Sequence, residues 1–242
     1  MNYRSWLLEK MLEFINEGRR DLLEKVISGR TRHFTLVMEN FHHPHNISAT
    51  IRSSECFGWQ DVHIVENEVE YERNPRVNKG ADKWLNIQHY SSKIFNTPDC
   101  FEVLKRKGFQ VVVTSPHKSS VGLRELDITR KTAIVLGSES IGVSDYALEH
   151  ADALLRIETV GFTESLNVSV TAGIIMETLN HRVREENIAW QLSDFDREEV
   201  FFYFLEQLLE NCPALESRLL ADNGLNPSQR VYPHEGFAHK YA

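Results

Sequence analysis

The sequence predicts an α/β fold, with a mainly parallel sheet, helices on both of its faces, and helical extensions at the amino and carboxyl ends. Three observations lead there. Short segments that are apolar almost throughout, among them Phe34-Thr-Leu-Val-Met38, Val111-Val-Val-Thr114 and Ala133-Ile-Val-Leu136, have the pattern of strands buried on both faces. Segments with helical spacing alternate with them, so strand–helix–strand crossovers follow. Glycines stand where those helices should end, at Gly58 and Gly108. The pattern divides the chain into a helical extension over residues 1–32, a sheet domain over 33–184, and an acidic helical extension with a tail over 185–242.

In chain order, Trp6, Leu7, Met11, Leu12, Ile15, Leu22, Leu23 and Val26 recur at helical spacing and predict two short helices over 3–28, broken near Gly18. Residues 34–38 form a strand, 47–57 a helix closed by Gly58, and 62–65 a strand. A helix over 101–107 closed by Gly108 follows, then strands at 111–114 and 133–136, a short helix from Ser144, and a strand at 153–157. The next helix is long. Leu166, Val170 and Ile174 make one apolar line along it and Val168, Ala172, Ile175 and Leu179 a second, so burial is expected over much of its circumference. Beyond Ser193 the chain turns acidic and aromatic, giving one further helix and another opened by Pro213 that ends near Gly224. Residues 226–242 have no helical period and are read as disordered or as an arm.

Composition narrows the function classes. The 242 residues carry a formal charge of −8, which on its face opposes phosphate binding. The acid is concentrated at the end, however: residues 185–242 hold 11 acidic and 4 basic side chains, while 1–33 hold 7 basic and 5 acidic. Local fields govern contacts, so Arg19, Arg20, Arg30 and Arg32, with Arg73, Arg76, Lys79 and Lys83, are candidates for a basic surface facing RNA. For the first group, ordinary solvated charge is an equally weighted reading. The apolar runs are too short to span a bilayer, and the start Met-Asn-Tyr-Arg has no signal-peptide core. Cys56, Cys100 and Cys212 lack paired spacing. A soluble protein of the cytoplasm, with no membrane partner, is expected.

In an open α/β sheet, ligands sit beyond the carboxyl ends of the strands. Four such junctions carry polar residues. Glu39-Asn-Phe-His-His-Pro-His-Asn46 leads into a helix that bears Arg52 on its second turn, with Asn46 as a candidate cap. Thr114 ends one strand, Gly137-Ser-Glu-Ser-Ile-Gly142 follows another, and the loop after Ile157 leads to Ser165-Leu-Asn167. Ser165 and Asn167 stand at the mouth of the long helix, where free N–H groups favour an anionic or strongly polar ligand. Taken alone, they are read as a simple helix cap. An Arg at a sheet end suits phosphate or carboxylate, and taken alone it is read as a solvated surface group.

Two other chemistries are set aside. His42, His43 and His45 lie too close together in one loop to converge on a tetrahedral zinc, and no Cys, Asp or Glu completes a set, so no metal is expected. The 137–142 loop lacks the Lys-Ser/Thr ending of a P-loop and the spacing of dinucleotide binders, which disfavours ATP- or NAD-dependent activities.

Together, Glu39 through Asn46 and Arg52 to Gly58, Leu136 through Ser144, and Ile157 through Ser165-Leu-Asn-Val-Ser-Val170 resemble the three motifs of the SpoU-type RNA 2′-O-methyltransferases, in order and spacing. Pro44-His-Asn46 and Gly80-Ala-Asp-Lys-Trp84 are similar to the TrmH group, which methylates a D-loop guanosine of tRNA. The likeness covers residues 33–184, and the acidic extension after Asp194 has no counterpart in it.

The resemblance implies a SPOUT fold with a deep trefoil knot, a homodimer, and S-adenosylmethionine as cofactor. By motif position it assigns the cofactor pocket to Thr114, Leu136, Gly137, Ile157 and Leu166, with Ser165 and Asn167 beside it. Arg52 would be the principal catalytic residue, supported by Asn46 and Glu139. Because a guanidinium stays protonated in nearly all protein settings, its expected part is to bind an RNA phosphate and stabilise the developing alkoxide. Arg19, Arg20, Arg32, Arg73, Arg76 and Lys83 would meet RNA. The second motif lacks the Lys usual after its Glu, and the third lacks the Pro usual after its Ile. The likeness to the TrmH group reads the substrate as tRNA, these departures and the acidic tail make ribosomal RNA the alternative, and a non-catalytic RNA-binding homologue stands behind both.

Overall fold

The computed structural model describes residues 3–67, 80–116, 119–163, 165–209 and 212–224. In chain order the elements are α1 (Tyr3–Leu12), α2 (Glu17–Ser28), β1 (Phe34–Glu39), α3 (Pro44–Cys56), β2 (Asp61–Val65), a 3-10 turn (Ala81–Trp84), β3 (Asn86–Tyr90), α4 (Thr97–Arg106), β4 (Gln110–Thr114), β5 (Val121–Gly122), β6 (Thr132–Leu136), α5 (Asp145–Glu149), β7 (Ala153–Arg156), α6 (Val168–Glu185), α7 (Asp194–Leu208) and α8 (Cys212–Asp222). They fall into two compact units, Thr31–Trp190 and Met1–Arg30 with Gln191–Ala242.

In the first unit the seven strands form one sheet in the order β3-β2-β1-β6-β4-β7-β5, with every pairing parallel. Side chains alternate across a strand. Leu36 and Met38 of β1, Ile134 and Leu136 of β6, and Val112 of β4 therefore face one side, where they pack with Ile47 and Ile51 of α3 and Ala172, Ile175 and Leu179 of α6. Val37, Ala133, Val135, Val111 and Val113 face the other, against Phe101 and Leu104 of α4 and Ala147 of α5. Polar anchors fix α6 to the end of α3: Trp59 Nε1 donates to Asn180 Oδ1 at 2.9 Å, and Asn180 Nδ2 donates to the Phe57 carbonyl at 2.7 Å.

Several expectations change. The break between α1 and α2 precedes Gly18, because Asn16 caps α2 by accepting from the Arg19 N–H. α3 opens at Pro44, whose fixed φ suits a first helical position, so Arg52 falls on its third turn. β3 and β5 were not anticipated. In the long helix, Val168, Ala172, Ile175 and Leu179 are buried; of the other predicted apolar line, Ile174 packs against the core, while Val170 is 49% exposed and Leu166, just before the helix, 39% exposed.

The second unit packs α7 against α1 and α2, and α8 against α1 and α7. Ser193 caps α7, and residues 200–205 are all buried. Arg197 Nη2 meets Glu24 Oε2 at 2.6 Å. Arg30 is 2% exposed, with its guanidinium 5.4 Å from the Phe204 ring centroid, so it is a core cation and leaves the predicted basic surface. The predicted tail over 226–242 lies outside the described residues.

Candidate active site

The carboxyl ends of β4, β6 and β7 and the loop before α6 enclose a cavity of about 260 Å³. Thr114, Leu136, Gly137, Ile157 and Leu166 all line it, with Ser165 and Glu139. Its walls combine apolar side chains such as Leu136, Leu155 and Ile157 with polar ones, among them Ser115, Glu139, Arg156 and Thr171. Thr114 commits its hydroxyl to the Val135 carbonyl at 3.0 Å, so its role at the wall is shape and a remaining acceptor. The loop after β6 folds back on itself: Ser138 N–H donates to the Gly142 carbonyl at 3.0 Å, and Gly142 N–H donates to the Ser138 carbonyl at 2.9 Å. That fold needs a bare Cα at Gly137, where an added Cβ would come within 2.1 Å of the Gly142 carbonyl carbon.

Asn167 ties three of the motifs together. Its Nδ2 donates to Glu139 Oε1 at 2.7 Å and to Asn46 Oδ1 at 3.1 Å. Its Oδ1 accepts from the Ser169 N–H at 2.9 Å and the Val170 N–H at 3.4 Å, capping α6. Two N–H groups expected to be free for a ligand are thus satisfied within the chain. Asn46 is not a cap: the N-cap of α3 is His43, and the side-chain Oδ1 of Asn46 instead accepts from Asn167 Nδ2. His43 Nε2 lies 3.7 Å from Glu139 Oε2. Phe41, His42, His43, Asn46, Ser138, Glu139 and Val168 enclose a further hollow of about 10 Å³ beside the main cavity.

Arg52 is half-buried on α3 and lines neither hollow. Of the predicted RNA-facing cations, Arg19 and Arg20 are exposed on α2. Lys83 sits with its ammonium 4.7 Å from the Trp84 ring centroid. Arg32 is drawn into an ion pair with Asp61 at 3.4 Å and is a poor candidate for a free contact. Arg73 and Arg76 lie outside the described residues, as does Lys79. Among the described residues, no group of three His, Cys, Asp or Glu could hold a metal ion.

The sequence reading missed Glu39. It is 0% exposed at the end of β1 and accepts from Thr97 Oγ1, from Ser144 Oγ at 2.8 Å and from Ser144 N–H at 2.8 Å. A carboxylate closing a wholly buried strand was the available signal. The groups whose proton affinity the fold displaces lie elsewhere. Burial lowers His63 to about 4 and, with Lys131, lowers His33 against the opposing Ile128 carbonyl; it raises the Tyr90 hydroxyl and the Cys100 thiol, and pushes Cys212 up to about 12.

Residues 33–177 match the model of the SpoU rRNA Methylase family. The chain belongs to that family. A tRNA (guanosine(18)-2′-O)-methyltransferase of Borreliella burgdorferi is 33% identical over 205 residues, 85% of this chain and 92% of that protein. The enzyme of the same name from Thermus thermophilus is 34% identical over 160 residues, 66% and 80% of the two chains. The solved TrmH/SpoU tRNA modifying enzyme of A. aeolicus superposes with a TM-score of 0.70 at 28% identity, over 81% of this chain and 98% of that one. The Borreliella match is longer than residues 33–184, so the similarity extends beyond the sheet domain of this SpoU methylase. No described helix is long and apolar enough to cross a membrane.

Proposed function

We propose that this SpoU methylase transfers a methyl group from S-adenosylmethionine to a ribose 2′-hydroxyl of tRNA, with the D-loop guanosine at position 18 as its target, in the cytoplasm and as a homodimer. The observation that carries the reading is the hydrogen-bonded group Asn46, Asn167 and Glu139 at the rim of the cavity that Leu136, Gly137, Ile157 and Leu166 line. The names of the relatives support the choice of RNA and nucleotide.

The residues fit the cofactor. A cavity of about 260 Å³ is near the lower end of small-molecule pockets, about 300 Å³, and offers apolar side chains such as Leu136, Ile157 and Leu166 for a nucleoside, with polar side chains such as Ser115 and Thr171 for its polar edges. Bound there, S-adenosylmethionine supplies a methyl group on a sulfonium, an excellent donor that needs alignment and a deprotonated acceptor. Leu136, Gly137, Ile157 and Leu166 hold it. Asn46 and Glu139, locked together by Asn167, orient the ribose, and Ser165 stands at the same rim. Arg52, outside the lining of both hollows, binds the RNA phosphate and through its positive charge favours loss of the hydroxyl proton to solvent, while the spent donor leaves as S-adenosylhomocysteine. The deep trefoil knot belongs to the same reading, and so does a partner protomer over the exposed Val170.

Transfer of label from S-adenosylmethionine to bulk tRNA and to ribosomal RNA, followed by mapping of the methylated nucleotide, tests the proposal. Label at the 2′-oxygen of guanosine 18 is the expected result. Label in ribosomal RNA alone would overturn the substrate, and label in neither would overturn the activity.

A further inference from the structure

One wall of the cavity is the loop over residues 137–143, which runs from the end of β6 to α5, a helix of only five residues. So short a helix has little stability of its own and does not anchor a loop. At its start the loop is held by β6 in the middle of the sheet. At its end the attachment is Ser144, and Ser144 is bound through both its N–H and its hydroxyl to the carboxylate of Glu39.

The hydrogen-bond directions are fixed by the neighbours. Ser144 Oγ accepts from the Ala147 N–H at 3.2 Å as the cap of α5, and so its own proton is available to Glu39. Thr97 Oγ1 accepts from Asn67 Nδ2 at 2.9 Å and likewise donates to Glu39. The carboxylate therefore gathers three donors from α4 and from the loop's end. β1 and β6 are paired in register from Phe34 with Thr132 to Met38 with Leu136, and Glu39 and Gly137, where the loop begins, are the next residues along the two strands.

We propose that Glu39 is a positioning residue for the methyl-donor pocket: by clamping Ser144 it sets the 137–143 loop, and with it the backbone at Gly137 and Gly142 and the carboxylate of Glu139. The inference rests on the assignment of that cavity to S-adenosylmethionine. Glu39 does not line the cavity; it acts through Ser144. Thr97, on the same carboxylate but outside the loop, supplies the internal comparison.

The test is calorimetric binding of S-adenosylmethionine to the full-length protein, with RNA binding measured in parallel. Glu39→Gln keeps the size of the side chain and turns one acceptor into a donor facing Ser144. Cofactor affinity should fall about tenfold, the scale of one lost charge-assisted hydrogen bond, while RNA affinity stays within about twofold. Ser144→Ala should lower cofactor affinity in the same direction, Ser144→Thr should restore it, and Thr97→Val should leave it within about twofold of wild type. If Glu39→Gln does not fold, the Ser144 pair carries the decision. Equal cofactor affinity in wild type and Ser144→Ala, or an equal loss in Thr97→Val, would overturn the proposal, since the carboxylate would then serve the fold at large. Absence of binding by the wild-type protein would instead overturn the assignment of the cavity.

Discussion

The side-chain amide of Asn167 uses both of its ends, Oδ1 as the cap of α6 and Nδ2 as the donor to Glu139 and Asn46. The two roles separate by substitution. Asn167→Ala removes both, and loss of the cap should lower stability by about 1 kcal/mol, a fall of roughly 2–4 °C in Tm for a chain of this size. Asn167→Asp keeps a capping oxygen at a helix N-terminus, where negative charge is favourable, but sets a second carboxylate oxygen against Glu139. Its Tm should match wild type while its single-turnover methylation rate falls about tenfold or more through loss of that donor. Equal rates in wild type and Asn167→Asp would show that the contact with Glu139 does not matter to the reaction. Arg52 makes a second test at this scale. A planar fork that binds phosphate at two points is not replaced by a point charge, so Arg52→Lys should lose most of the rate, with cofactor affinity unchanged. Near-full activity of Arg52→Lys across pH would contradict the positioning role.

At the scale of elements, the loop after β6 depends on the absence of a side chain at Gly137. A Cβ there would lie 2.1 Å from the carbonyl carbon of Gly142, and the obstructing atoms are backbone, which no rotamer change relieves. Gly137→Ala should therefore open the loop and abolish measurable cofactor binding while β1, β2 and β4 keep their pairing; unchanged calorimetric binding would mean that the loop adapts. Gly142 has φ +78 and an open surround, so Gly142→Ala strains only the turn and should have the smaller effect. The same elements show what the sequence displayed. β1, β4 and β6 were legible because burial on both faces leaves an unbroken apolar run. β3 and β5 form the two edges of the sheet, and neither has that signature: Asn86-Ile-Gln-His-Tyr90 is half-buried and polar, and Val121-Gly122 is too short for any period. The site's junctions were legible because the ends of parallel strands gather ligands whatever the fold's details. Glu39 offered one signal, a carboxylate closing a buried strand, but its role stayed hidden because its partner Ser144 is far along the chain and uncharged.

Across the whole molecule, the buried histidines give stability a pH dependence with a definite sign. His63, 3% exposed on β2, meets the Tyr90 hydroxyl at 3.0 Å, and desolvation lowers it to about 4, with Asp61 opposing and Lys107 assisting. An unfolded histidine titrates near 6.5. Below that pH the unfolded chain takes up a proton that the native chain refuses, so the stability present above about 6.5 is lost as pH falls toward about 4. Linkage gives a loss of about 2 kcal/mol between pH 7.5 and pH 5 from this one side chain. His33, also lowered by burial, acts with the same sign and steepens the curve. Denaturant unfolding of wild type and His63→Phe at the two pH values measures the share due to His63. The variant should start about 1 kcal/mol less stable at pH 7.5, because the His63–Tyr90 hydrogen bond is lost, yet it should lose about 2 kcal/mol less on acidification. A slope as steep as that of wild type would place the acid sensitivity in the carboxylates instead, and a raised baseline would mean that the His63–Tyr90 contact strains the sheet it joins.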